Sequence, residues 1–134
     1  MHMRLHLKGM RRVLIVEDEQ PLREAFALLL KSEGYEVALA ENGQVALKKL
    51  KSFKPHLVLL DMLMPVMSGL DFLKRAQRVR PQPDYTQPKT LVLSNLTEPI
   101  TEEDMERFAV SRSVLKANLS PSELAATVRE LLEA

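Results

Sequence analysis

Leu57-Val58-Leu59-Leu60-Asp61-Met62-Leu63-Met64-Pro65-Val66-Met67-Ser68-Gly69 opens with four unbroken apolar residues and then turns polar at Asp61. A short apolar run bounded by turn residues is the pattern of a strand buried on both faces, as in a parallel sheet flanked by helices. Asp61 therefore stands at the C-terminal tip of a core strand. A second run, Val13-Leu14-Ile15-Val16, ends the same way in Glu17-Asp18. If the two strands are parallel neighbours, three carboxylates converge on one sheet edge. Two like charges ~4 Å apart repel by roughly 4 kcal/mol at an effective dielectric near 20, so three of them need a proton or a counter-ion. A hard divalent cation with oxygen ligands, Mg2+ above all, meets that need.

Outward from this stretch, helix and strand patterns alternate. Pro21 suits a first helical position, and Leu22, Phe26, Leu29 and Leu30 form the stripe of a helix that Gly34 stops. Tyr35–Leu39 predicts a short strand, and Asn42-Gly43 opens a helix with Ala46, Leu47, Leu50 and Phe53 on one face. Ser68 and Asp71 make a capping box for a helix carrying Phe72, Leu73, Ala76 and Val79 inward. Residues 80–88 hold three prolines and predict a loop. Leu91–Leu93 is the fourth strand, tipped by Ser94. Thr101 and Asp104 offer another box, for a helix expected to bury Met105, Phe108 and Ala109. Val114–Leu115 is a brief fifth strand ending at Lys116, and Ser120-Pro121-Ser122-Glu123 starts a last helix with Leu124, Val128, Leu131 and Leu132 inward.

Five strands alternating with five helices predict an α/β fold, a parallel sheet covered on both faces. Ligands of such sheets gather beyond the carboxyl ends of the strands. Glu17, Asp18, Asp61, Ser94 and Lys116 all fall there.

A length of 134 residues, 46% of them hydrophobic, fits one domain with a real core. The absence of cysteine excludes disulfides, thiolate zinc sites and thiol catalysis, and favours an intracellular protein. Arg4, Lys8, Arg11 and Arg12 give the first twelve residues +4, leaving 15 basic against 18 acidic residues, or −3, in the remainder. That balance gives no reason to expect nucleic-acid binding. No apolar stretch approaches the ~18 residues of a membrane span, and the arm lacks the apolar core of a secretory signal. His2 and His6, four apart, read as part of an irregular start rather than as a metal site. Met10 shortly precedes the first strand pattern and is a candidate natural start, with residues 1–9 then read as an upstream extension.

Val16-Glu17-Asp18-Glu19, Leu59 to Gly69, Leu93-Ser94-Asn95 and Leu115-Lys116-Ala117-Asn118, in this order and at these strand ends, together resemble the receiver domain of two-component response regulators, over Met10 to Ala134. The resemblance implies a flavodoxin-like doubly wound sheet of five parallel strands in the order 2-1-3-4-5, with helices on both faces. Residues 11–134 would form the receiver and residues 1–10 a basic, peripheral extension. It implies a cytoplasmic phosphorelay protein, not a conventional multiple-turnover enzyme, in which Asp61 accepts a phosphoryl group from the phosphohistidine of a sensor histidine kinase or phosphotransfer protein. Asp18 and Asp61 would ligate Mg2+ directly, Glu17 through water, and Leu63 through its backbone carbonyl. Lys116 would pair with one phosphoryl oxygen, and Ser94 would donate to another once phosphorylation brings it within reach. Leu63 and Leu96, two positions beyond the acceptor and the switch hydroxyl, would tune the lifetime. Apolar groups obstruct water without orienting it, so a slow reset is expected. A face spanning residues 99–133 would engage a downstream protein. Neither nucleic acid nor membrane is implied for this domain, and a homodimer is left open.

Two positions depart from the family pattern. Ala117 follows Lys116 where receivers usually carry proline, often after a cis bond; a cis bond before alanine costs ~2.5–4 kcal/mol, so a trans bond is expected. Ser113 stands three residues before Lys116, where an aromatic rotamer switch is common. It is too small to swing, so coupling to the output face must use backbone or helix movement or be weak. Two other readings compete. A pseudo-receiver would share the fold without taking phosphate, and a phosphatase of the haloacid dehalogenase type would need a second Asp where Leu63 stands. The bland alternative makes Glu17-Asp18 a helix cap and Asp61 a turn residue, with Lys116 and Ser94 coincidental. The last helical pattern runs to the end of the chain, so no output domain is expected within it, and the sequence is compatible with a stand-alone receiver or part of a longer regulator.

Overall fold

Strands β1 (Arg12–Val16), β2 (Glu36–Ala40), β3 (Leu57–Asp61), β4 (Lys89–Ser94) and β5 (Arg112–Leu115) lie parallel in one sheet ordered β2-β1-β3-β4-β5, the expected order. Helices α1 (Gln20–Ser32), α2 (Gly43–Ser52), α3 (Gly69–Ala76), α4 (Glu102–Arg107) and α5 (Pro121–Glu133) alternate with them. The computed structural model describes residues 11–79, 85, 87–97 and 99–133. The extension 1–10, with His2 and His6, and most of the proline-rich stretch 80–88 lie outside the described residues.

Alternation along the central strands divides the core in two. Val13, Ile15, Leu57, Leu59, Leu91 and Leu93 pack with Leu30 of α1 and Leu124 and Val128 of α5. Leu14, Val16, Val58, Leu60 and Val92 pack on the opposite face with Ala46 and Leu50 of α2 and Phe72 and Leu73 of α3. Burial on both faces is why these strands carry no polar alternation. Each fully buried aliphatic side chain contributes about 1.5–3 kcal/mol, so truncating Leu59 to alanine at the centre would cost about 2–5 kcal/mol.

Side-chain caps set the helix starts. Asn42, Ser68, Thr101 and Ser120 accept the amides of Val45, Asp71, Asp104 and Glu123 at 3.0, 3.1, 3.0 and 3.2 Å, each cap contributing about 1 kcal/mol. Helix α1 has no side-chain cap at Glu19 and relies on Pro21 in its first turn. Gly34 takes a φ of +97°, open to glycine, just past its end.

Several boundaries differ from expectation. Strand β2 starts at Glu36 rather than Tyr35, and β5 already begins at Arg112. Helix α4 stops at Arg107, and Ala109, expected inside, is exposed. Its φ of +53° turns the chain over, so that Val110 takes the buried place and donates its amide to Met105 O at 2.8 Å. Val79 likewise lies past the end of α3, half-buried.

Register positions the polar strand ends. Val16 pairs with Leu60, so the residues that follow each, Glu17 and Asp61, emerge side by side. Ser94 pairs with Leu115, which puts Lys116 one step beyond the level of Ser94. The Lys116–Ala117 bond is trans, and Lys116 begins a 3-10 turn, Lys116–Asn118.

Candidate functional site

The side chains of Glu17, Asp18 and Asp61 each offer a carboxylate oxygen, and these oxygens lie within 4.8 Å of one another. Glu17 is only 1% exposed and Asp61 4%, because both continue the buried edges of β1 and β3. The Lys116 ammonium is 2.8 Å from Glu17 Oε1 and donates to Asp61 Oδ2 at 3.2 Å. The backbone supplies the remaining contacts: the Glu19 amide donates to Glu17 Oε2 at 3.1 Å and the Leu63 amide to Asp61 Oδ1 at 3.2 Å.

Three carboxylates against one ammonium leave the pocket anionic. Burial pushes the Glu17 carboxyl up to about 7, opposed by Lys116 and the Glu19 amide and reinforced by the charge of Asp61. Burial pulls the Lys116 ammonium down, but its contacts with Glu17 and Asp61 outweigh that and hold it above its ordinary value. The polar partner of Glu17 Oε1 is the Lys116 ammonium, which it shares with Asp61. Two buried carboxylates sharing one ammonium, beside the further carboxylate of Asp18, form an all-oxygen anionic donor set that fits a hard cation such as Mg2+.

Three features outside the expected set hold this constellation. Arg23 of α1 donates from Nη1 to the carbonyls of Glu17 and Asp18, at 2.8 and 3.2 Å, tying down the backbone of the acid pair. A cation in the first turn opposes the helix dipole, and that misfit is the signal for it in the sequence. Gly69 donates its amide to Met62 O at 3.1 Å, and a Cβ there would stand 2.7 Å from Met62 Cα and 2.9 Å from Asp61 O. Val66 has a φ of +69° within a three-residue turn closed by Met67 N donating to Pro65 O at 2.7 Å.

The structure thus brings together Glu17, Asp18, Asp61 and Lys116, with Leu63 entering through its amide. Ser94 is buried at the neighbouring strand end, but its hydroxyl donates to Val114 O at 3.5 Å rather than to Asp61. Leu63 and Leu96 are 49% and 77% exposed. A carboxylate held by an amide on one oxygen and an ammonium on the other is oriented to attack an electrophilic centre arriving from solvent. The neighbouring charges suit it to an anionic electrophile only when a cation is present.

Residues 13–129 match the response regulator receiver domain family. Response regulator RR06 of Streptococcus pneumoniae serotype 2 is 36% identical over 90 residues, covering 67% of this chain and 39% of that protein. The phosphate regulon transcriptional regulatory protein PhoB of Escherichia coli K12 is 31% identical over 124 residues, 91% of this chain and 52% of that protein. The chain therefore spans about half or less of these relatives' length. Among solved structures, the chemotaxis protein CheY4 of Vibrio cholerae superposes with a TM-score of 0.78 at 28% identity, covering 91% of this chain and 98% of that one. Strand order, acidic cluster and sequence agree, and the chain belongs to the response regulator receiver domain family of two-component systems.

Proposed function

We propose that this domain is the phosphoryl acceptor of a phosphorelay, with Asp61 taking the group from a phosphohistidine of a sensor histidine kinase or phosphotransfer protein. The observation that carries this reading is the Glu17–Lys116–Asp61 contact, in which two buried carboxylates share one ammonium beside the carboxylate of Asp18. An Asp61 oxygen attacks phosphorus; the new O–P bond forms as the donor's N–P bond breaks, and the departing imidazole keeps the electron pair and takes up a proton. The Leu63 amide and Lys116 orient the carboxylate, and Lys116 then pairs with a phosphoryl oxygen. Mg2+, held by Asp18, Asp61, Glu17 through water and the Leu63 carbonyl, would neutralise charge that otherwise repels the incoming group.

The product carries about two more negative charges, and Ser94 leaves Val114 O to donate to a phosphoryl oxygen. Residues 99–133 change their preference for a downstream protein in response. Leu63 and Leu96 shield the acyl phosphate without orienting water, giving a slow reset that Leu63→Asn changes. Residues 11–134 are the receiver, the basic segment 1–10 is peripheral, and the domain works in the cytoplasm. No helix among the described residues is long and apolar enough to cross a membrane.

The family is not one of conventional enzymes, and the complete set of Asp61, acid pair and lysine gives a non-phosphorylated binding module no support. Incubation with acetyl phosphate and Mg2+, followed by intact-mass measurement, is expected to add one phosphoryl group, and Asp61→Asn to abolish it. Labelling retained at another residue means that the acceptor is misassigned.

A further inference from the structure

Strand register puts a second hydroxyl under the switch serine. Ser94 pairs with Leu115, and side chains alternate along a strand, so Ser113, two residues before Leu115, lies on the same sheet face as Ser94. The half-buried Ser113 Oγ donates to Ser94 Oγ at 3.4 Å, while Ser94 Oγ donates to Val114 O at 3.5 Å. The Ser94 hydroxyl is therefore engaged by β5 on both its accepting and its donating side, and neither contact is to Asp61. With Ser94 only 4% exposed, water has little access to replace either contact.

We infer that Ser113 is a positioning residue that latches the Ser94 hydroxyl in its resting orientation. The inference rests on the phosphoryl-acceptor reading above. Both hydrogen bonds are long, so each contributes at the low end of the usual range, whereas a bond from Ser94 to a phosphoryl oxygen is charge-assisted and roughly twice as strong as a neutral one. The latch therefore holds the hydroxyl without preventing its release. Release strips Ser113 Oγ of its acceptor and Val114 O of its donor, so the change at the phosphoryl site is felt in β5 without any aromatic rotamer. Serine at 113 thus takes part in the switch through its hydroxyl, although it is too small to do so by swinging.

The test is Mg2+-dependent binding of beryllofluoride, a stand-in for the phosphoryl group, followed by calorimetric titration. Ser113→Thr and Ser113→Val are nearly equal in volume and differ in the hydroxyl. Ser113→Val is expected to bind about threefold more tightly than Ser113→Thr, and Ser113→Thr to stay within about twofold of the unaltered protein. Ser113→Ala, which adds no volume, is expected to match Ser113→Val. In a Ser94→Ala background the difference between valine and threonine disappears, which a merely structural role for position 113 would not produce. Equal affinities for the Val and Thr variants overturn the latch, as does a difference that persists with Ser94→Ala. If the unaltered protein binds no beryllofluoride, the phosphoryl-acceptor reading itself falls, an outcome distinct from the latch failing alone.

Discussion

The ammonium of Lys116 stands closer to Glu17, at 2.8 Å, than to Asp61, the proposed phosphoacceptor, at 3.2 Å. Its nearer partner is thus the more deeply buried acid. Before any phosphoryl group arrives, Lys116 serves as the internal counter-ion of a pocket that would otherwise repel itself. Lys116→Met leaves the two buried carboxylates facing each other. Removing one partner of a buried ion pair is far more costly than losing a surface pair, and a lysine side chain 23% exposed moderates that cost. The expected loss is about 2–3 kcal/mol in urea unfolding at pH 7.5 without Mg2+, and clearly less near pH 5, where Glu17 carries a proton. Equal stability of both proteins at pH 7.5 would show that the pair contributes nothing.

Burial raises Glu17 from an ordinary 4.5 to about 7. The folded chain therefore holds this proton more tightly than the unfolded one. Its stabilising contribution is fully present below pH 4.5 and is lost as pH rises through 7, by at most about 3 kcal/mol. His56 acts in the opposite direction. Burial first, then Arg12 and Arg11, hold its imidazole below 6.5, and its Nδ1 accepts the Arg12 amide at 2.9 Å, so that contribution is present above pH 6.5 and lost on acidification. Glu17→Gln separates the two: it is expected to flatten the decline between pH 5 and 8 while leaving the acid-side fall. Millimolar Mg2+ is expected to raise the unfolding midpoint more at pH 8 than at pH 5, and less in Glu17→Gln.

Strands β1, β3 and β4 are legible in the sequence because burial on both faces demands unbroken aliphatic runs, and the site is legible because each run stops at a polar residue. Edge strands β2 and β5 are half-covered and mix in Glu36, Arg112 and Ser113, so their limits are read a residue or two out. Periodicity also fails where a backbone turns over, as at Ala109. It carries no information on where a hydroxyl or guanidinium points: the turn of Ser94 toward Val114, and the reach of Arg23 back to Glu17 and Asp18, follow from closure of the fold.

Val66 occupies a left-handed conformation, φ +69°, while its side chain is 74% exposed. A β-branched residue is strained there by about 1–2 kcal/mol, and little burial offsets it. Glycine removes the strain but increases the freedom of the unfolded chain by about 0.5–1 kcal/mol. Val66→Gly is thus expected to stabilise the protein by about 0.5–1 kcal/mol in urea unfolding. A destabilised variant would mean that Val66 makes contacts that outweigh its backbone strain.

Gly69 and Gly43 both approach methionines, but only Gly69 meets backbone that cannot yield. A methyl at Gly69 would lie 2.6 Å from Met62 Sδ, 2.7 Å from Met62 Cα and 2.9 Å from Asp61 O, and the last two move only if the loop carrying Asp61 moves. A methyl at Gly43 would meet Met67 side-chain atoms alone, at 2.8–3.0 Å; new rotamers move Sδ and Cγ aside, and the contact with Cβ at 3.0 Å requires a shift of a few tenths of an ångström. Gly69→Ala is therefore expected to cost about 2–3 kcal/mol and Gly43→Ala less than about 1 kcal/mol. The functional consequences should diverge as well. Displacing the Asp61 carbonyl disturbs the carboxylate that the Leu63 amide and Lys116 hold, so acetyl phosphate labelling should slow markedly in Gly69→Ala under conditions where the protein is fully folded, and remain near normal in Gly43→Ala. Normal labelling in a folded Gly69→Ala would show that the loop relaxes without moving the acceptor, and would remove Gly69 from the residues that position it.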